Sequence, residues 1–259
     1  AAVRLDVDYL RALGFEVSLL GGGSASAFDL EKVGEGYQRT VVLRAPEAWP
    51  GAADAKSLDF TLKSSGNAYL GETLPVAIPL KLYKTPVALV HGLWSKAETF
   101  KQWWPSTNMV RFLEKRGFTV HTNSYTNWMG PSAIVLADKG YQFFTQFVSP
   151  PIWALRFKGI ECTRVDMVGH SMGGMMARQF IQNNEHQRSS TLAYQRGLVR
   201  RVVTLGSPHL GSPWASYIVG RVSEDLHWQR APGDELFPTT QYMVDNNWEI
   251  IKRIDFLAR

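Results

Sequence analysis

Ser171 lies in the run Val-Asp-Met-Val-Gly-His-Ser-Met-Gly-Gly, with Gly169 two residues before it, Gly173 two after, and His170 and Met172 as immediate neighbours. A serine hydroxyl is a weak nucleophile unless the chain presents it in a special setting. A strained strand-to-helix turn is such a setting: it lifts the hydroxyl above the sheet edge, at the positive end of the next helix, where developing negative charge is stabilised. The tightness of that turn forbids side chains where neighbouring backbone passes, which accounts for glycine at 169 and 173, and Gly174 lets the helix approach an adjacent strand. The competing reading is a glycine-rich turn with a helix-capping serine. The chemistry in view is nucleophilic acyl transfer through a covalent intermediate on Ser171.

Such chemistry needs two convergent donors for the tetrahedral oxyanion. One is the backbone N–H of Met172, the residue after the nucleophile; the second is expected from the loop after an earlier strand. The segment Thr-Pro-Val-Ala-Leu-Val-His-Gly-Leu-Trp supplies that loop at His91, Gly92 and Leu93, with the Leu93 N–H as donor and Trp94 as the fallback. Gly92 allows a sharp turn and close approach to substrate, and His91 is expected to brace the loop by hydrogen bonding. His91 as general base is the alternative, against which stands its place ahead of the serine and after a different strand, because folds that carry the serine on such a strand-to-helix turn run serine, acid, histidine along the chain.

The elements that must position these residues follow from hydrophobic patterning. Val87–Val90 is a continuous apolar run, as expected of a central parallel strand buried on both faces. A helix over Ala97–Arg116 ending at Gly117, strands at Phe118–Thr122, Val165–Val168 and Arg201–Leu205, and a helix from Met172 to about Asn183 complete the alternation. In that last helix Met172, Met176 and Phe180 share a face at i, i+4, i+8. The pattern predicts an α/β class: a doubly wound, mostly parallel sheet with helices on both faces, whose ligands bind beyond the carboxyl ends of the strands.

Residues 1–82 read instead as β-rich. Thr40–Leu43 is a short apolar strand, Leu58, Phe60 and Leu62 alternate with polar neighbours, and Val76, Ile78, Leu80 and Leu82 alternate again. Ser64-Ser65-Gly66-Asn67 reads as a hairpin-type turn and Gly21–Ser26 as a loop. This region is expected to be a small sandwich domain before the α/β domain at 83–259, or else the leading strands of the main sheet.

Three motifs make the chain resemble the bacterial lipase and esterase branch of the α/β-hydrolase family: VALVHGL at 87–93, VGHSMGG at 168–174 and VVTLGSPHLGSP at 202–213. The resemblance covers roughly residues 85–213. It implies a serine hydrolase of carboxylic esters, small-molecule or lipid, and places Ser207, Pro208, His209 and Gly211 at the mouth of the site, with His209 outside the triad. It also favours a secreted or periplasmic location. The same site would equally serve an acyltransferase or a thioesterase, and a binding module on an inactive hydrolase fold belongs to a different class of reading.

The acid and the histidine are harder to place. After Leu205 only Glu249–Phe256 reads as a further strand, and the order rule then puts both groups beyond Arg259, in a chain truncated at its C-terminus. The in-chain alternative is His227 with Asp225 or Asp234. Aromatics crowd two long connections, Trp128, Tyr141, Phe143, Phe144, Phe147, Trp153 and Phe157 in one and Trp214, Tyr217, Trp228, Phe237 and Tyr242 in the other. They suit either a lid and acyl pocket or ordinary core packing.

Composition bounds the rest. The 259 residues are 45% hydrophobic and 20% charged, as in a folded globular protein. No apolar run reaches the roughly 18–20 residues of a membrane-spanning helix. The formal charge of +5 is scattered, and Arg196, Arg200 and Arg201 read as a solvated edge before a strand rather than a nucleic-acid surface. The one cysteine, Cys162, forms no internal disulfide and reads as a buried structural thiol. No cofactor or metal is implied, for want of zinc-spaced Cys/His pairs or a phosphate-binding glycine loop.

Overall fold

The computed structural model describes residues 2–23, 26–29, 31–34, 36–66, 76–92, 95–102, 108–124, 140–182, 193 and 196–211. The chain divides into two compact units, Ala1–Lys84 and Thr85–Arg259.

The described residues of the first unit form the strands β1 (Ala2–Leu5), β2 (Glu16–Leu19), β3 (Ala27–Asp29), β4 (Glu31–Val33), β5 (Gly36–Gln38), β6 (Val41–Arg44), β7 (Ser57–Gly66) and β8 (Val76–Tyr83) and the short helix α1 (Val7–Ala12). Asp6 caps that helix by accepting from the Tyr9 N–H. An antiparallel sheet runs in the order β3-β1-β7-β8, and β2-β6 and β4-β5 form separate antiparallel pairs. Leu10, Phe15 and Phe60 make its core, with Leu62, Leu80 and Leu82 packed against them, which is the alternation legible in the two longest strands. The expected turn at 64–66 is strand instead. Ser64 pairs with Val76 on one side and Leu5 on the other, and Ser65 and Gly66 pair with Arg4 and Val3 of β1, so the ladder with β1 carries this backbone on as strand. Asn67 lies outside the described residues.

In the second unit four parallel strands, β9 (Val87–Val90), β10 (Val120–Thr122), β11 (Val165–His170) and β12 (Val199–Leu205), lie in the order β10-β9-β11-β12. Between them run α2 (Thr99–Gln102), α3 (Met109–Lys115), α4 (Gly140–Phe143), α5 (Ser149–Arg156) and α6 (Met172–Gln182). Crossovers between parallel strands are right-handed, so a reversal in the direction of winding moves the helices to the opposite face. The chain steps outward from β9 to β10, then back past β9 to β11 and on to β12. Accordingly Val87 and Leu89 pack with Phe100, Met109, Val110 and Leu113 of α2 and α3 on one face. Ala88 and Val90 pack on the other, in the cluster of Ile152, Met167, Met176 and Phe180 from α5, β11 and α6. All four residues of β9 are buried for that reason. Met172, Met176 and Phe180 are each about 1% exposed, and full burial of such side chains stabilises by roughly 1.5–3 kcal/mol each.

Two further differences from the sequence reading have physical causes. The single helix expected over 97–116 is two. Asn108 is extended, with ψ of 115°, and starts α3 afresh by accepting from the Arg111 N–H at 3.0 Å. Arg200 does not lie in solvent. It folds onto Asp166 as a bidentate pair, its Nε 2.9 Å from Oδ1, with the two side chains only 19% and 15% exposed. Neighbouring β11 and β12 bring the two residues together, which the linear sequence does not display.

A π-helical turn, Phe144–Val148, joins α4 to α5, and the Ser149 N–H donates to the Phe144 carbonyl five residues back. Its cause is readable in Pro150-Pro151, which give no N–H to the carbonyls of Gln146 and Phe147 and would drive their rings into them in an α-helix. The Gln146 carbonyl accepts instead from His121 Nε2 of β10 at 2.7 Å.

Candidate functional site

β9 and β11 are adjacent, but their chains leave in opposite directions, toward β10 and toward β12. Their carboxyl ends therefore flank the switch point of the sheet, where a crevice opens in folds of this kind. His91 and Gly92 leave β9 there, and Ser171 leaves β11. The register aligns Gly169 with Val90, so His170 and Ser171 follow at the level of His91 and Gly92. A Cβ on Gly92 would stand 2.8 Å from the Ser171 Cβ and 3.1 Å from His170 Nδ1.

Ser171 has φ of +52°, the one positive value outside glycine among the described residues. The left-handed conformation costs an L-residue roughly 1–2 kcal/mol, and the surrounding structure holds it. The Ser171 N–H donates to the Leu205 carbonyl at the end of β12 at 2.8 Å, and the Gly174 N–H donates back to the Ser171 carbonyl at 3.2 Å. The glycines are explained one by one. A Cβ at Gly169 would lie 2.5 Å from the Gly174 backbone, one at Gly173 2.2 Å from the Val90 carbonyl oxygen, and one at Gly174 2.0 Å from Ser207 Oγ and 2.9 Å from Thr204 Cγ2. The first lets the turn close, and the others seat α6 against β9 and β12. Met172 opens α6, so its N–H has no acceptor within the helix.

Two imidazoles flank the turn. His91 is 1% exposed, and Nδ1 lies 2.8 Å from the Gly92 carbonyl oxygen. A carbonyl only accepts, so Nδ1 carries the hydrogen and donates. Burial pushes the His91 pKa below its ordinary value, against weaker upward pulls from the Gly92 carbonyl and Glu98, and the nearby His170 lowers it further. Burial also lowers His170. Both rings are neutral near pH 7. His209 belongs to the turn after β12: its N–H donates to the Ser207 carbonyl at 2.9 Å, and its carbonyl accepts from Arg178 of α6 at 3.3 Å. That turn is thereby tied to the helix that follows Ser171.

The fold thus gathers Gly169, His170, Ser171, Met172, Gly173, Gly174, His91 and Gly92 at one end of the sheet. Leu93, Trp94, Asp225, His227 and Asp234 lie outside the described residues, as do Trp128 and the aromatics from Trp214 onward. Of the other aromatics, Phe143 and Phe147 are core. They are 3% and 0% exposed and stack with each other at a ring spacing of 5.2 Å, and Phe143 stacks likewise with Phe180. Phe157 is 83% exposed. Cys162 is buried, and burial pushes its thiol up to about 11, so it is no second nucleophile. Among the described residues no group of three His, Cys, Asp or Glu side chains is placed to hold a metal, and no helix is long and apolar enough to cross a membrane. Two polar residues that the sequence reading passed over, Asn123 and Ser124, stand at the carboxyl end of β10. Their only sequence signal is their position directly after a strand of the parallel sheet.

The parallel sheet covered on both faces, with a tight serine turn at its switch point, defines an α/β-hydrolase-type fold. Residues 154–222, from α5 through Ser171 to beyond β12, match the family described as the PGAP1-like alpha/beta domain. Among solved structures, the Bacillus licheniformis lipase BlEst2 in its propeptide form is similar at 24% identity, with a TM-score of 0.34. That similarity covers 55% of this chain and 27% of the lipase chain, so it spans about a quarter of that protein's length. No curated protein matches the chain.

Proposed function

We propose that the protein is a serine hydrolase of carboxylic esters, with Ser171 as nucleophile. The observation that carries the reading is the left-handed Ser171, pressed against Gly92 at the switch point of a parallel sheet. A fold that needed only a turn there would place glycine at 171 and avoid the strain; serine at a strained position is the signature of a hydroxyl held for use.

In the reaction, Ser171 Oγ gives its proton to a base and bonds to the ester carbonyl carbon. The carbonyl oxygen takes the negative charge and is held by the Met172 N–H and by the Leu93 N–H. Collapse expels the alcohol, which takes the proton back from the base. Water then attacks the acyl-enzyme in the same way and releases the acid and free Ser171. His91 keeps its Nδ1 hydrogen on the Gly92 carbonyl, which suits it to hold the loop. His227, with Asp225 or Asp234, is the in-chain candidate for the base and its acid.

The test is covalent labelling with a fluorophosphonate, located by peptide mass spectrometry. The expected result is a single adduct on Ser171, absent from Ser171→Ala. An adduct on another residue, or ester turnover that survives Ser171→Ala, refutes the assignment.

A further inference from the structure

The geometry points to Asn123 and Ser124 as positioning residues for the acyl-transfer site, acting through the loop between β9 and α2; the inference rests on the function proposed above. The Ala97 N–H, buried in that loop, donates to Ser124 Oγ at 2.9 Å. A hydroxyl on an exposed turn would rotate freely, but Ser124 is itself fixed: its backbone N–H donates to Asn123 Oδ1 at 2.8 Å. The Asn123 amide has its orientation set from both ends, because Nδ2 donates to the Gln146 side-chain oxygen. Gln146 is gripped a second time through its carbonyl, which accepts from His121 Nε2 at 2.7 Å. That carbonyl is free for His121 because the residue four further on is Pro150.

A continuous hydrogen-bonded chain therefore runs from the π-helical turn, through the end of β10, to Ala97. It joins three segments that lie 23 to 27 residues apart in sequence. By register Asn123 and Ser124 stand level with Val90 and His91, at the carboxyl end of the sheet, where the serine turn lies. Inside the loop, the Ser95 and Thr99 hydroxyls are 2.6 Å apart and fasten the approach to α2. The loop is thus fixed at its origin by buried β9 and at Ala97 by Ser124. Between these points sits Gly92, packed on Ser171. Releasing the second anchor loosens the donor side of the site, where a misplacement of about 1 Å can cost about a hundredfold in rate. An oxyanion donor acts most strongly in the transition state, so the loss belongs in kcat and in the labelling rate rather than in KM.

The experiment compares Ser124→Ala with Ser124→Thr, which keeps the accepting oxygen. Three readouts are taken: the rate of fluorophosphonate labelling at Ser171, kcat and KM on p-nitrophenyl butyrate, and hydrogen exchange of the peptide spanning 92–99. Ser124→Ala is expected to lower the labelling rate and kcat about ten- to a hundredfold with KM within about twofold, and to speed exchange in that peptide. Ser124→Thr should restore all three. An unchanged kcat in Ser124→Ala, a loss that threonine does not restore, or unchanged exchange overturns the inference while the labelled wild type leaves the proposed function standing. A wild type that takes no label at Ser171 refutes the proposed function and this inference with it, and exchange then reports separately whether the anchor exists.

Discussion

Gly173→Ala is the most direct probe of the serine turn, because its sign is set by tertiary contact. On an isolated helix, replacing glycine by alanine gains about 1 kcal/mol of helix propensity. Here the new Cβ would sit 2.2 Å from the Val90 carbonyl oxygen and 2.5 Å from that of His91. Both are backbone atoms at the end of a fully buried strand and cannot swing aside as a side-chain tip would. Relieving the closer contact to even 3.0 Å requires α6 and β9 to part by about 0.8 Å. Overpacking of this sort costs roughly 1–3 kcal/mol, and a backbone clash belongs at the upper end. Set against the propensity gain, the net loss is about 1–2 kcal/mol, or about 2–8 °C in the melting temperature of a unit of this size. The same displacement separates Ser171 from Gly92, so labelling at Ser171 should slow by one to two orders of magnitude. Differential scanning calorimetry and the labelling time course measure the two effects. A variant that melts higher than wild type with its labelling rate intact would show that α6 does not press on β9 as described.

Two further outcomes follow from the same structure. Because φ at Ser171 is +52°, Ser171→Gly should be more stable than Ser171→Ala by about 1 kcal/mol, the reverse of the usual order, with labelling lost in both; urea unfolding of the two variants decides it, and equal midpoints would remove the strain from the account. Burial holds the His91, His121 and His170 pKa values below the ordinary 6.5. The unfolded chain then binds protons first, so their contribution to stability is complete above about pH 6.5 and is lost as the pH falls through the interval down to the folded values. Unfolding free energy measured from pH 8 to 5 should drop below 6.5, less steeply in His121→Gln, and a flat profile would contradict burial of the neutral rings.

Much of the serine turn and its flanking elements was legible because their constraints are local. The run Val87–Val90 announced a strand buried on both faces. The spacing of Gly169, Ser171 and Gly173 announced a turn too tight for side chains, and Met172, Met176 and Phe180 announced the buried face of the helix behind it. Each signal lies within about ten residues, because strand and helix periods and turn sterics act over that range. Boundaries failed where a non-local partner intervened. Ser64–Gly66 became strand because β1 borders it, and Arg200 turned inward because Asp166 lies on the next strand.

What only the tertiary structure decided is why those residues stand together. Nothing in the chain between Gly92 and Ser171 states that β9 and β11 are neighbours. That follows from one-handed crossovers winding first toward β10 and then toward β12, which leaves two carboxyl ends diverging at a single point. The partners of the glycines, Val90 for Gly173 and Ser207 for Gly174, and the path from Gln146 through Asn123 and Ser124 to Ala97, come from the same packing. The sequence determined that Ser171 would stand on a strained turn; the strand order determined what stands against it, because contacts across a sheet depend on how the chain is wound and not on any period within it.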